Sequence, residues 1–105
     1  MQAKVIALVV SYNGGEELSK TVCALVDQVQ KIIVLDNHSN EENQELITEL
    51  SHAQDIFLVR FDSNIGIGAA LNKGVEIAKR EGFEWILTMD QDSIAAPNMI
   101  SEMLV

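Results

Sequence analysis

Two carboxylates, Asp90 and Asp92, stand two residues apart directly after an apolar run near the end of the 105-residue chain. Both can offer oxygen atoms to one hard cation, Mg²⁺ or Mn²⁺, that keeps water and phosphate oxygens as its other ligands. Such an ion would neutralise the charge that develops on a departing diphosphate. Taken alone, an Asp-Gln-Asp triplet is more typical of a turn or a helix cap. Its place at the end of a predicted strand favours the metal site.

Two further residues have side chains suited to a nucleobase. Tyr12 can stack on a base or pack at the end of a strand. Asp36 can accept a hydrogen bond from the N3–H group of a pyrimidine, or it can form a local Asx turn. If Asp36 contacts the base, uridine or thymidine diphosphate should bind more tightly than adenosine diphosphate, because adenine has no equivalent imino donor. The residue types leave both pairs of alternatives open.

Four short apolar runs separated by amphipathic stretches are the elements that must position these residues. This alternation is typical of a parallel sheet with crossover helices, and runs of nearly continuous apolar character are typical of strands covered on both faces. We therefore predict a β-α-β-α-β-α-β order and a Rossmann-like, three-layer α/β/α fold with strand order 3-2-1-4. The four runs are Val5–Val10, Ile32–Leu35, Ile56–Phe61 and Trp85–Met89.

Local signals mark where the helices should begin and end. Ser39 and Glu42 have the spacing of a capping box before the second helix, Gly82 stands where the third should stop, and Pro97 suits the start of a fourth. The one cysteine in the chain, Cys23, lies in the first amphipathic segment. A single cysteine builds no disulfide framework, so we expect a buried structural thiol in a reducing compartment.

Every predicted strand is followed by a polar cluster. In an open α/β sheet, ligands bind beyond the carboxyl ends of the strands, where the strand order reverses. With the order 3-2-1-4, the loops after the first and fourth strands flank that reversal, which places the predicted site there. The glycines of Gly66-Ile67-Gly68 only superficially resemble a dinucleotide fingerprint, since they follow the third strand and a leucine holds the last small position.

Composition excludes several classes of partner. The formal charge of −9, from 16 acidic against 7 basic residues, leaves no basic stripe for nucleic acid. No apolar stretch approaches the roughly eighteen residues of a membrane span. The apolar run near the N-terminus is too short for a signal peptide. We expect a cytoplasmic protein, with a peripheral position at the inner face of the membrane left open.

Four segments of the chain, in this order and spacing, resemble the successive motifs of family 2 glycosyltransferases, which have the GT-A fold. The Asp-Gln-Asp-Ser version of the last motif is similar to the rhamnosyltransferase branch, which builds bacterial surface polysaccharides. The segments are Val9-Val10-Ser11-Tyr12-Asn13, Val34-Leu35-Asp36-Asn37-His38-Ser39, Asn64-Ile65-Gly66 with Asn72-Lys73-Gly74, and Leu87-Thr88-Met89-Asp90-Gln91-Asp92.

The resemblance implies roles for particular residues. It places a uracil or thymine site at Tyr12 and Asp36, and it sets Asn64 and Gly66 against the nucleotide. It assigns Asp90 to the ribose and Asp92 to the metal ion. The implied reaction is metal-dependent and inverting: a sugar, rhamnose in this branch, passes from a dTDP- or UDP-sugar to a saccharide or lipid-linked saccharide acceptor.

Two readings from other classes stand beside this one. The first is a non-catalytic nucleotide-binding or interaction module, which measured turnover would exclude. The second is a phosphatase of the haloacid dehalogenase type with Asp90-Gln91-Asp92-Ser93 as nucleophile motif. That motif should follow the first strand of its sheet, whereas three strand-helix units precede the triplet in this sequence.

Residues 1–105 are expected to form the N-terminal, donor-binding part of an incomplete domain. In inverting enzymes a carboxylate takes the proton of the acceptor. We expect that base beyond Val105, so the chain alone should be inactive. An interrupted last helix should expose apolar side chains and promote self-association. Those side chains are Met99, Ile100, Met103 and Leu104.

Overall fold

Strands and helices alternate along the chain in the predicted β-α-β-α-β-α-β order. The structure is a computed structural model that describes residues 4–54, 56–91 and 99–100. None of the helices in these ranges has the length and apolar character needed to cross a bilayer. The elements are β1 (Val5–Ser11), α1 (Gly15–Leu25), β2 (Lys31–Asp36), α2 (Glu41–Ala53), β3 (Phe57–Arg60), α3 (Ile67–Arg80) and β4 (Trp85–Asp90).

The strands form one parallel sheet in the order β3-β2-β1-β4, which confirms the predicted topology. The central strands β1 and β2 are buried almost throughout, as their apolar runs predict. The outer strands are less covered, and Phe57 and Trp85 at their beginnings are exposed. An apolar run alone does not distinguish a central strand from an outer one, because the neighbouring strands supply part of the cover.

Alternate side chains of the central strands enter two separate cores, which makes the fold three-layered. Ala7 and Val34 face α1 and α2, where they pack with Leu18 and Ile47. Leu8 faces the opposite side, where α3 covers the sheet. Neighbouring residues on a strand therefore point into different layers. The same alternation determines which polar side chains at the strand ends reach the candidate site.

Gly74 lets α3 lie close against the sheet. A Cβ atom at this position would stand 2.9 Å from Cδ1 of both Leu8 and Leu35, two fully buried side chains. We therefore expect Gly74→Ala to lower the free energy of unfolding by about 1–3 kcal/mol, the usual cost of overpacking a core. Urea denaturation followed by circular dichroism measures this change.

Gly68→Ala is the matched control in the same helix, since a Cβ there meets nothing within 4 Å. The substitution should leave stability unchanged or raise it by up to about 1 kcal/mol, the difference in helix propensity between the two residues. Equal urea midpoints for the two variants would show that the Gly74 position has room for a methyl group.

The ends of the helices confirm one sequence signal and correct another. Gly82 follows α3 with φ +79° and the hydrogen bonds of a Schellman motif, as predicted for a helix stop. The Ser39–Glu42 capping box is wrong: Asn40 is the N-cap of α2 and accepts from the Asn43 N–H. The Ser39 hydroxyl accepts instead from the Asn13 N–H, 3.0 Å away in the loop after β1.

Two predictions about burial are also wrong. Cys23 is exposed, because the buried stripe of α1 runs through Leu18, Val22 and Leu25 and leaves Cys23 outside it. Ile100 is buried, 7% exposed, so it does not offer the apolar surface expected to promote self-association. Met99, another residue of that argument, is partly buried and packs against the core on the α1/α2 side of the sheet. Pro97, Met103 and Leu104 lie outside the described residues.

Candidate functional site

A cleft of about 420 Å³ lies at the carboxyl ends of the strands, beside the reversal of strand order between β1 and β4. This volume lies within the range of roughly 300–1,000 Å³ found for small-molecule sites. The cleft stands at the edge of the sheet where the sequence predicts the site. Its described lining consists of Val10, Tyr12, Asn37, Asn64, Gly66, Ile67, Leu71, Thr88, Met89, Asp90 and Gln91.

Four of the residues predicted from sequence line this one cleft: Tyr12, Asn64, Gly66 and Asp90. They come from the ends of β1 and β4 and from the loop after β3. The Tyr12 side chain is 50% exposed, which favours the stacking alternative over packing at the strand end. Asp92, the predicted metal ligand, lies outside the described residues.

Asp36 does not line the cleft. Its carboxylate is completely buried, and it accepts hydrogen bonds from the Ser39 N–H at 3.0 Å and from Arg60 Nε at 2.9 Å. Asp36 lies two residues after Val34 and therefore on the same face of the sheet, the one covered by α1 and α2, whereas the cleft lies on the α3 side. The local hydrogen-bonding alternative therefore describes this side chain better than direct contact with a base.

Asn37, the next residue, is the lining side chain that the sequence reasoning missed. It is 2% exposed, and its Oδ1 accepts from the Ile65 N–H at 2.8 Å. Because that donor requires an acceptor, the amide orientation is set, and Nδ2 has no hydrogen-bond partner among the described residues. Side chains alternate between the two faces of β2, so this alternation would have identified Asn37 as a lining residue if the face that carries the cleft had been known.

The loop after β3 enters α3 through a local turn. The Asn64 side chain accepts from the Gly66 N–H at 2.9 Å, and Gly66 has φ +84°, a conformation that favours glycine. Gly66 is the N-cap of α3, and both it and Ile67 line the cleft. The unpaired N–H groups of a helix start suit a phosphate group.

Amide and hydroxyl side chains join the loops after β1 and β2. Asn13 has φ +53°, its N–H donates to Ser39 Oγ, and its Oδ1 accepts from the Asn40 N–H at 2.8 Å. Asn43 accepts from the Gly15 N–H at 2.7 Å. These hydrogen bonds hold the two loops in one arrangement next to the cleft.

The charge of the lining bears on the metal prediction. Asp90 is the one charged side chain in the described part of the lining, and it is negative. Residues 4–54, 56–91 and 99–100 hold no cluster of three His, Cys, Asp or Glu side chains that could bind an ion alone. A lining with Asp90 as its carboxylate fits a Mg²⁺ or Mn²⁺ ion that uses one or two carboxylates and takes water and phosphate oxygens as its other ligands.

Comparison with known proteins identifies the class of protein. Residues 6–104 match Glycosyl transferase family 2, and the chain belongs to this family. The uncharacterized glycosyltransferase MJ1057 of Methanocaldococcus jannaschii is 32% identical over 104 residues, which cover 93% of this chain and 35% of that protein. The chain therefore spans about a third of the length of this relative.

Two solved structures share the fold. Staphylococcus aureus TarS 1-349 in complex with UDP has a TM-score of 0.78 at 17% identity, covering 96% of this chain and 31% of that chain. The mannosyltransferase PcManGT from Pyrobaculum calidifontis, in complex with GDP-Man and Mn²⁺, has a TM-score of 0.81 at 16% identity, covering 99% of this chain and 32% of that chain. The parallel sheet in order 3-2-1-4 is thus that of GT-A glycosyltransferases.

The family assignment settles some of the alternatives. Membership in Glycosyl transferase family 2 is at odds with the phosphatase reading, as is the position of Asp90 at the end of the fourth strand. The rhamnosyltransferase branch is a finer statement than these matches support, and it stays a prediction.

Proposed function

We propose that the cleft binds the pyrimidine nucleoside diphosphate part of a donor sugar, together with Mg²⁺ or Mn²⁺. The observation that carries this proposal is the convergence of Tyr12, Asn64, Gly66 and Asp90 on one cleft at the reversal of strand order. TarS, a structure of the same fold, has been solved with UDP, and PcManGT with a nucleotide sugar and Mn²⁺.

Tyr12 and Asn37 are the residues that we assign to the base. The half-exposed ring of Tyr12 offers a face on which a base can stack. Because Asn37 Oδ1 is engaged by Ile65, the Nδ2 hydrogens are left for a carbonyl oxygen of the base. Asp36 takes a supporting role in this proposal: it holds the end of β2 through Ser39 and Arg60.

The diphosphate requires a positive partner that the described lining does not supply. The negative charge of Asp90 alone would repel a diphosphate. A divalent cation held by carboxylates at this position would supply the positive charge that attracts the diphosphate. We assign Asp92, from its sequence position, as the metal ligand, and we assign Asp90, which the resemblance gives to the ribose, as a second carboxylate available to the same ion. Asn64, Gly66 and the start of α3 complete the phosphate side of the cleft.

The reaction proposed for the whole enzyme is direct displacement at the anomeric carbon with inversion. The metal ion, when bound, stabilises the leaving diphosphate. Rhamnose as the sugar, a saccharide or lipid-linked saccharide as the acceptor, and a role in surface polysaccharide synthesis follow from the Asp-Gln-Asp-Ser resemblance. The residues named above serve the donor side of this reaction.

A nucleotide panel tests the proposal. In calorimetric titrations with Mn²⁺, UDP and dTDP should bind about three- to tenfold more tightly than ADP, the equivalent of about one hydrogen bond. Adenine lacks the carbonyl oxygen that the Asn37 amide would contact, whereas uracil and thymine carry it. Guanine also carries one, so GDP serves to separate base size from base chemistry.

Three results would contradict the proposal in different places. Equal binding of ADP and UDP would remove the role of Asn37 in base recognition. Preference for GDP over UDP would move the substrate to a purine nucleotide sugar. Absence of binding by every nucleotide at millimolar concentration would remove the cleft as a donor site.

A further inference from the structure

Gln91, the middle residue of the acidic triplet, joins the end of β4 to the loop after β1. Its Oε1 accepts from the Tyr12 N–H at 2.9 Å, and its Nε2 donates to the Tyr12 carbonyl oxygen at 3.2 Å. The backbone pairing between β1 and β4 ends with Val10 and Asp90. The Gln91 side chain therefore continues the junction past the last paired residues, where it satisfies both backbone groups of Tyr12 as a neighbouring strand would.

The main chain of Gln91 is held from the other side. Thr21, fully buried on α1, has its Oγ1 2.7 Å from the Gln91 carbonyl oxygen and 3.0 Å from that of Glu17. Gln91 thus links β4 both to the loop after β1 and to the helix that follows this loop.

Gly14 provides the space for this side chain. A Cβ atom at Gly14 would lie 2.6 Å from Gln91 Oε1. The backbone there has φ −73°, an ordinary value for any residue, so its conformation does not require glycine. The requirement comes mainly from the Gln91 amide, and Ser11 Oγ is the next nearest group, at 3.2 Å.

A primary amide is the group that this position needs. It carries one acceptor and two donor hydrogens, which match the N–H and C=O groups of one residue. A glutamate would accept from the Tyr12 N–H but would set a carboxylate against the Tyr12 carbonyl oxygen, next to Asp90. An alanine would make neither bond.

We infer that Gln91 is a positioning residue that fixes the spacing between two residues that line the cleft, Tyr12 after β1 and Asp90 at the end of β4. This inference rests on the proposed function, since the spacing matters only when one ligand contacts both residues. Base and diphosphate belong to the same nucleotide at a set separation, and a junction that holds both residues lowers the ordering cost of binding.

Amide hydrogen exchange by NMR and calorimetric titration with UDP and Mn²⁺ test the inference on Gln91→Ala. We expect the Tyr12 amide to exchange about tenfold faster, because it loses its acceptor. The Asn13 amide, bonded to Ser39 Oγ, should keep its rate. UDP affinity should fall about three- to tenfold. The matched control is Gln54→Ala, whose side chain contacts Cys23 away from the cleft and should leave both readings unchanged.

Gly14→Ala provides a second route, because it displaces the Gln91 amide without removing it. It should reproduce both effects, and the double variant Gly14→Ala/Gln91→Ala should be no worse than Gln91→Ala, since the two substitutions break one contact. If Gln91→Ala does not fold, Gly14→Ala alone tests whether the Gln91 amide positions Tyr12.

The outcomes separate this inference from the proposed function. Unchanged exchange of the Tyr12 amide in both variants would overturn the junction itself. Faster exchange with unchanged UDP affinity would leave Gln91 a structural residue and overturn its positioning role. Absence of UDP binding by the unsubstituted protein would overturn the proposed function, and the exchange rates would still decide whether the junction exists.

Discussion

Asp36→Ala is expected to lower the free energy of unfolding by about 2–4 kcal/mol, because a buried N–H group and a partly buried guanidinium lose their shared partner. The Asp36 carboxylate is completely buried and accepts from both Ser39 and Arg60. Asp36→Asn should cost less, since the amide oxygen can still accept from Ser39. Urea denaturation of the two variants measures the difference.

Asn37→Ala is the matched comparison, one residue along the same strand end. It should weaken UDP binding about three- to tenfold and cost less stability, since it removes one acceptor, that of the Ile65 N–H. The opposite pattern is also informative. If Asp36→Ala folded with unchanged stability and lost UDP binding, the direct contact with the base predicted from the sequence would be right after all.

Asp90→Ala should weaken binding of UDP in the presence of Mn²⁺ about tenfold to a hundredfold, the effect of losing a hydrogen bond to a charged group. The reason is that Asp90 is the carboxylate that the described residues place in the cleft. Asp92→Ala should likewise weaken the binding that depends on the metal. Calorimetry with Mn²⁺ and again with excess chelator measures both contributions.

Asp27→Ala removes the same charge from an exposed position outside the cleft lining and serves as the control. Chelator should reduce the UDP affinity of the unsubstituted protein toward that of the Asp90→Ala variant. The UDP affinity of Asp90→Ala should change less on addition of chelator. Equal UDP affinity with Mn²⁺ and with chelator would show that no metal ion bridges the acidic triplet and the nucleotide.

The sheet and the location of the cleft follow from patterns that act over several residues. Four apolar runs spaced by amphipathic stretches suffice for the strand order, because crossovers between parallel strands leave few topologies. The same topology brings the four polar loops to one edge. Topology therefore predicts that Tyr12 and Asp90 lie together, and the family resemblance adds Asn64 and Gly66; all four line the cleft.

The failures concern single residues whose roles are decided by which face they occupy. Asp36 and Asn37 are both polar and adjacent, and the alternation of the strand sends them to opposite layers. Ser39 has the spacing of a helix cap, but the loop after β1 supplies the donor that its hydroxyl accepts from. The hydrogen bonds between Gln91 and Tyr12 connect residues 79 positions apart in the chain, so no local sequence pattern predicts them.

The junctions that join the loops after β1, β2 and β4 to one another are built from side chains that carry no charge. Asn13, Ser39, Asn43 and Gln91 join the loops through amides and a hydroxyl. Such groups do not ionise in the physiological pH range, and salt does not screen them as it screens ion pairs. These junctions should therefore be insensitive to pH and ionic strength. Any dependence of nucleotide affinity on either variable then reports on the phosphates, the metal ion, the carboxylates that meet them and the Asp36–Arg60 ion pair at the end of β2.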